Sequence, residues 1–393
     1  MALYDGLSGE KPAVVLDLGA RYTKFGFVGE FSPRCIIPSE IKCPTTGQIR
    51  KISSYKDEAD LYVLLVEFIH KLYFKYVLVS PKDRHVVIVE SLLTPTIFRD
   101  TLAKVFFKHY EVASILFVPS HLVVLCALGI RTALVVDVGY RETQVIPVYE
   151  GVPVLSAWQA QPLAASAVEQ RLKDNLVESY QEKIYASGDA GRHFTPDVES
   201  LPDSVIEDIK VRGCFVPDYE HGQDISDGVP SRLPPCVDYR VGGSCIIQIP
   251  GSVRQSAYEP LFEKDNERCS LPHLILDAIL KCGIDTHKEL AENILLVGGS
   301  VMAPGFKARV MEEIRQMLKT PEYSAKLPIK CIKLHQPPGK ENYMCWLGGA
   351  IFGATDMIPM RTLTKENYLS LKMVPDWSNL ATNILLVSKL SLH

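Results

Sequence analysis

Short β-branched runs alternate along this chain with longer amphipathic stretches, a rhythm of parallel strands covered by helices. Leu61, Leu64, Leu65, Phe68, Ile69, Leu72, Tyr73 and Tyr76 recur at helical spacing, with Glu67, Lys71 and Lys75 opposite them. They predict a strong helix with Asp60 as its N-cap. His85 to Val89 reads as a buried strand and Thr96 to His109 as a second amphipathic helix. Ile115 to Val118 and His121 to Leu128 form a strand and a helix ending at Gly129. Later helices are expected from beyond Gln161 to about Tyr185, over Val205 to Cys214, Leu271 to Lys281 and Phe306 to Leu318. Asn293 to Ser300 is a strand running into a glycine turn, and Trp346 to Ile351 closes the ordered pattern. Ser39 to Asp57 is polar and turn-rich, a small excursion rather than a domain, and Ala186 to Pro202 and Asp218 to Pro235 read as solvated loops.

One pattern occurs twice. Val15-Leu16-Asp17-Leu18-Gly19-Ala20-Arg21-Tyr22-Thr23 returns as Val135-Val136-Asp137-Val138-Gly139-Tyr140-Arg141-Glu142-Thr143, each followed by a further apolar run. Each copy reads as strand, tight turn, strand, with Asp at the strand end and Gly in the turn. A single Asp-x-Gly hairpin is also what an ordinary β-turn looks like. Its repetition, with Arg and Thr at the same offsets, points to a duplicated nucleotide-binding core. Turn N–H groups would cradle phosphates while Asp17 and Asp137 hold Mg²⁺ through its waters. Gly298-Gly299, at a strand end before a helix, lets a backbone approach a ligand and becomes the expected adenosine platform.

Bulk properties narrow the class. A chain of 393 residues exceeds one ordinary core, so two lobes are expected. The net charge of −4, without basic runs interleaved with aromatics, argues against nucleic acid as the main partner. The first residues lack a signal-peptide pattern and no apolar stretch reaches the length of a membrane span. The ten cysteines contain no Cys-x-x-Cys pair, and Cys126 and Cys245 sit in apolar runs as buried reduced thiols would.

The order hairpin, hairpin, Gly-Gly, Trp-x-Gly-Gly resembles the actin family, from about Ala13 to Trp377. Its specific pieces are Lys24-Phe25-Gly26-Phe27-Val28-Gly29, Pro33-Arg34, Pro147 to Gly151, Asp208-Ile209-Lys210, Val297-Gly298-Gly299, Pro304-Gly305 and Trp346 to Gly349. The resemblance implies an α/β, actin-like fold of the kind shared with hexokinase and the heat-shock ATPases, duplicated into two lobes around a nucleotide cleft. Residues 1–127 and 344–393 would form an outer lobe with a reduced second subdomain at about 39–59. Residues 128–343 would form an inner lobe with an insertion at about 164–258. It implies ATP or ADP with Mg²⁺ as cofactor. Asp17 and Asp137 match the metal-organising aspartates, and Gly19 and Gly139 match phosphate-loop glycines. Lys24 matches the phosphate-reaching lysine, and Lys210, Gly299 and Met302 match adenosine-lining positions. Gly298, Ala20, Arg21, Tyr22 and Tyr140 complete the expected site.

The departures bear on activity. Actin's water-positioning glutamine aligns with Ser120, its proton-relaying histidine with Gln144, and its third aspartate with Tyr140. Ala20 replaces the serine that senses the γ-phosphate. Val211 and Ala303 replace an adenine-side glutamate and tyrosine. Losing a water-positioning group and a proton acceptor should each cost about 10²-fold, together on the order of 3–5 kcal/mol. Binding needs neither group, so the expectation is a nucleotide held as a structural ligand with weak or absent hydrolysis. Arg21 and Arg141 either add contacts to phosphate or point into solvent.

Three stretches, Arg34 to Ser39, Glu67 to Phe74 and Gly139 to Glu142, are similar to the pointed-end actin-related subunit of dynactin. The compressed Ser39–Asp60 region lacks the loop tip that docks into the next protomer, a geometry suited to capping a filament end; a shortened loop without consequence is the other reading. The resemblance implies a cytoplasmic, cytoskeletal, non-motor protein supporting dynein-driven transport. Its expected partners are other dynactin subunits, namely a centractin-type actin-related protein, actin and pointed-end complex proteins, with dynein reached indirectly. A nuclear subunit of a chromatin-remodelling complex is the alternative, and an active ATPase or kinase of the same fold a further one. The apolar tail after Asn379 reads either as a partner contact or as a gene-model end.

Overall fold

Each Asp-x-Gly hairpin heads its own sheet. The computed structural model describes residues 11–42, 47–187, 198–228, 233–242, 245–264, 269–355, 361–371 and 373–374. The chain divides into two compact units, Met1–Ile130 with Pro337–His393, and Arg131–Gln336.

In the first unit β1 (Val14–Leu18) pairs antiparallel with β2 (Tyr22–Phe27), and β2 pairs with β3 (Cys35–Pro38). A separate ribbon of β4 (Glu40–Lys42) and β5 (Ile49–Lys51) occupies the short excursion. On its other side β1 runs parallel to β6 (His85–Glu90), and β6 runs parallel to β7 (Ser114–Pro119). The two-residue strand Leu363–Thr364 closes that edge. Strand alternation assigns the two faces. Val14, Leu16, Val86 and Ile88 join the core formed with α1 (Glu58–Lys71) and α2 (Thr96–Lys104). Val15, Val87 and Val89 face the helix Met344–Gly353 instead. That helix comes close because it lacks side chains there: a Cβ on Gly349 would lie 2.5 Å from Val89 Cγ2. The buried Trp346 donates its indole N–H to the Val15 carbonyl at 3.1 Å.

The expected first helix exists, and Leu61 to Tyr73 of its apolar face are buried, with Tyr76 only partly so. Its N-cap is Asp57, which accepts the Asp60 N–H at 2.8 Å, and not Asp60. Asp60 is diverted by Arg50 of β5, which donates two hydrogen bonds to it at 2.9 and 2.7 Å. Both α1 and α2 pass into π-helical turns, Leu72–Val77 and Val105–His109. α3 (Ser120–Cys126) starts directly after β7. Cys126, expected in the interior, is exposed on it.

The second unit repeats the scheme. β8 (Ala133–Val138) and β9 (Thr143–Tyr149) form the second hairpin, and β10 (Val152–Pro153) and β11 (Gln159–Gln161) both pair with β9. α4 (Ala165–Ser187), α5 (Asp203–Gly213) and α6 (Tyr219–Ser226) follow, then the hairpin β12 (Val237–Val241) and β13 (Cys245–Ile249). α7 (Gly251–Ser256), α8 (Leu271–Leu280) and α9 (His287–Glu292) precede β14 (Ile294–Val297), which runs parallel to β8. α10 (Phe306–Met317) comes next. Leu134, Val136, Val138, Ile294 and Leu296 share one core with apolar residues of α4, α8 and α10.

Two further expectations need correction. The first part of Asp218–Pro235 is not a loop but α6, capped by Asp218, which accepts the His221 N–H at 2.9 Å. Tertiary packing holds it: the buried Arg309 donates to the Asp218 carbonyl at 3.1 Å, and Gly222 leaves room for its guanidinium. Trp346 to Ile351 does not end the ordered pattern, since Leu363–Thr364 and the helix Lys365–Leu371 follow. Most of the Ala186–Pro202 stretch, the Cys245 side chain and the apolar tail lie outside the described residues. Among the described residues, no helix is long and apolar enough to cross a membrane.

Candidate functional site

Parallel strands present their carboxyl ends as the usual ligand edge of an α/β sheet. In the first unit that edge carries Asp17, which stands beside Val89 of β6, and, one position past β7, Ser120. In the second unit it carries Asp137 beside Val297 of β14, with Gly298 next in the chain. The two Asp-bearing strands are therefore equivalent by pairing as well as by motif.

The turns close alike. The Gly19 N–H donates to the Tyr22 carbonyl and the Gly139 N–H to the Glu142 carbonyl, both at 3.2 Å. A Cβ at these positions would lie 2.7 Å from Tyr22 O and 3.1 Å from Glu142 O, so glycine is what lets the turns be this tight. Each glycine amide is thereby committed to closing its own turn. The pairs across the ladders differ. Asp17 faces Lys24, with 3.0 Å between ammonium and carboxylate, whereas Asp137 faces Gln144. Gln144 donates an amide N–H to Glu142 at 3.2 Å.

Each turn is also fastened to a neighbour. The buried Ser39 donates its hydroxyl to the Gly19 carbonyl at 2.7 Å and its N–H to the Arg21 carbonyl at 3.0 Å. With that proton committed, the Thr23 hydroxyl is the donor in its 2.8 Å contact with Ser39 Oγ. Thr143, at the equivalent offset, donates to the Leu163 carbonyl. The second turn docks on the start of α4, where the Ala165 and Ser166 N–H groups donate to Gly139 and Tyr140 carbonyls at 3.2 and 2.8 Å. Tyr140 also donates its phenol to Glu169 at 3.1 Å, and Lys210 reaches the other oxygen of Glu169 at 2.6 Å.

The Gly-Gly turn belongs to the same end of the second unit. Gly298 has φ +104, and a Cβ there would collide with the Val138 carbonyl, whereas Gly299 faces open space. Met302 closes a 3₁₀ turn on Gly299 and is 43 % exposed. The first unit thus assembles Asp17, Gly19, Ala20, Arg21, Tyr22 and Lys24, and the second assembles Asp137, Gly139, Tyr140, Lys210, Gly298, Gly299 and Met302. Arg21 is half-buried and Arg141 exposed. Ser39 and Glu169 were given no site role by the sequence: one opens the stretch read as a polar, turn-rich excursion, the other lies on a helix face with no motif.

Among the described residues, no three His, Cys, Asp or Glu side chains converge as a metal cage. The carboxylates of Asp17 and Asp137 are hard oxygen donors suited to Mg²⁺ that keeps most of its waters. In each unit, one such carboxylate beside a tight glycine turn fits a hydrated metal carried on a phosphate group.

The actin family model matches residues 63–370. The chain is 27% identical over 439 aligned positions to actin-related protein 10 of Dictyostelium discoideum, an alignment covering 95% of this chain and 90% of that protein. With a family match across most of its length, and with the Asp-x-Gly hairpin present twice, this chain belongs to the actin family.

Proposed function

We propose that this is a non-motor, structural actin-related protein that caps the pointed end of the short actin-related filament of dynactin. In this reading it works in the cytoplasm and supports dynein-driven transport. The observation that carries the reading is the end-to-end similarity to actin-related protein 10. The excursion that follows β3 supports it, because its described part is only the three-residue strands of β4 and β5 and a 3₁₀ turn at Ile52–Ser54.

An adenine nucleotide, ATP or ADP with Mg²⁺, is proposed as a structural ligand. Asp17 and Asp137 would organise the metal, Lys24 and the two turns the phosphates, and the Gly298-Gly299 turn the adenosine. Weak hydrolysis is proposed from the side chains at the hydrolytic positions. Tyr140 and Gln144 are engaged with Glu169 and Glu142, and Ser120 is a short hydroxyl at a helix start. Glu90, at the carboxyl end of β6, is neutralised by Arg99 at 2.6 Å. None of these is a poised base.

The deciding experiment is affinity purification of the full-length chain from cells followed by identification of its stoichiometric partners. A centractin-type actin-related protein, actin and pointed-end proteins are expected. Recovery of remodelling ATPases in their place would overturn the dynactin reading in favour of a nuclear one.

A further inference from the structure

Glu169 is the junction of three elements of the second unit. It lies one turn into α4, is 7 % exposed, and spends one oxygen on the Tyr140 phenol and the other on the Lys210 ammonium. Tyr140 is part of the second hairpin turn, and Lys210 projects from α5 with only 8 % of its surface exposed. The turn is further held by the first amides of α4, so Glu169 and the phosphate turn move as one body. Val211, next to Lys210 in the chain, is 66 % exposed and offers no polar group.

A lysine whose charge is matched at 2.6 Å by a buried carboxylate behaves as a fixed hydrogen-bond donor, not as a mobile cation. An unmatched ammonium beside the Tyr140 turn would instead swing toward any polyphosphate that the turn holds. We propose that Glu169 is a positioning residue of the nucleotide site, clamping Lys210 and Tyr140 so that Lys210 serves the nucleoside and its charge is withheld from the phosphates. This rests on the nucleotide reading above. It adds a residue that no motif singles out and a reason why affinity should divide between nucleoside and phosphate in an unusual way.

The test compares Mg-ATP with Mg-tripolyphosphate, which lacks the nucleoside, on the full-length chain by calorimetry. Lys210→Met combined with Glu169→Gln, which removes both charges of the pair, is expected to weaken Mg-ATP about fivefold and to leave Mg-tripolyphosphate at its wild-type affinity. Glu169→Gln is expected to tighten Mg-tripolyphosphate about fivefold, by a gain that shrinks as salt is raised and disappears in Glu169→Gln with Lys210→Met. If Glu169→Gln does not fold, Glu169→Asp reports in its place: a carboxylate withdrawn by one methylene loosens its hold on Lys210, and a smaller, salt-sensitive gain in Mg-tripolyphosphate affinity is expected. Equal losses for both ligands when Lys210→Met is combined with Glu169→Gln, or a Glu169→Gln effect indifferent to salt and to Lys210, would overturn the clamp while leaving nucleotide binding intact. Failure of the wild-type chain to bind either ligand would overturn both readings.

Discussion

Asp17 and Lys24 stand directly opposite each other across the β1–β2 ladder, and their charged groups meet at 3.0 Å with about one-sixth of each side chain exposed. Their counterparts in the second hairpin, Asp137 and Gln144, occupy the same register with an amide where the first ladder has an ammonium. The backbone is duplicated, but the charge is not.

That asymmetry predicts unequal roles. Asp17→Ala together with Asp137→Ala should abolish retention of Mg-nucleotide through gel filtration and lower the melting temperature, because a ligand present at 100 times its dissociation constant contributes about 2.7 kcal/mol to the folded state. Lys24→Met should weaken retention without abolishing it, by about tenfold, since one charge-assisted contact is lost while metal and turn contacts persist. Nucleotide content by absorbance and chromatography reads both. A double variant that melts unchanged would mean that no nucleotide supports the fold.

Hydrolysis should be slow. With Tyr140, Gln144 and Ser120 at the hydrolytic positions, phosphate release is expected at least about 10²-fold below that of actin measured side by side. Turnover at the rate of actin would remove the structural-ligand proposal.

Gly298 predicts a sharp packing defect. At φ +104 an alanine is strained, and its Cβ would collide with the Val138 carbonyl of the second hairpin. Gly298→Ala should cost about 1–3 kcal/mol and loosen the β8–β14 edge. Urea unfolding of wild type and variant measures the loss, and hydrogen exchange should place it at β8 and β14.

Acid and base effects offset each other in the two units. Burial lowers the His121 imidazole to about 4 from 6.5, so its contribution is complete above pH 6.5 and is lost as pH falls through that window. Burial raises the Glu259 carboxyl to about 7 from 4.5, against the pull of Arg309. Its contribution runs the other way: the folded state takes up a proton first and gains stability as pH falls from 7 toward 4.5. Between pH 7 and 5 each change amounts to about 2 kcal/mol, with opposite sign. His121→Leu should therefore become more stable than wild type on acidification in relative terms, and Glu259→Gln less so. Denaturant midpoints across that range read the divergence; parallel profiles for all three proteins would refute it.

Local geometry and its doubling follow from the residues alone. Alternating β-branched residues around Asp-x-Gly can satisfy both faces of a strand and a tight turn in only one way, so both hairpins, the Leu61-to-Tyr73 helix face and the Gly298 turn were legible before any coordinates. Long-range partners were not. Asp60 reads as a cap until Arg50, ten residues away in sequence, takes its carboxylate and Asp57 caps instead. Asp218 to Ser226 reads as a loop until Arg309 from α10 settles over Gly222. Ser39 and Glu169 carry no motif, because their importance lies in the turn carbonyls, phenol and ammonium that the fold brings to them. Periodicity encodes which face is buried, whereas the partner of a buried polar group depends on which distant segment is packed there, and only the tertiary structure decides that.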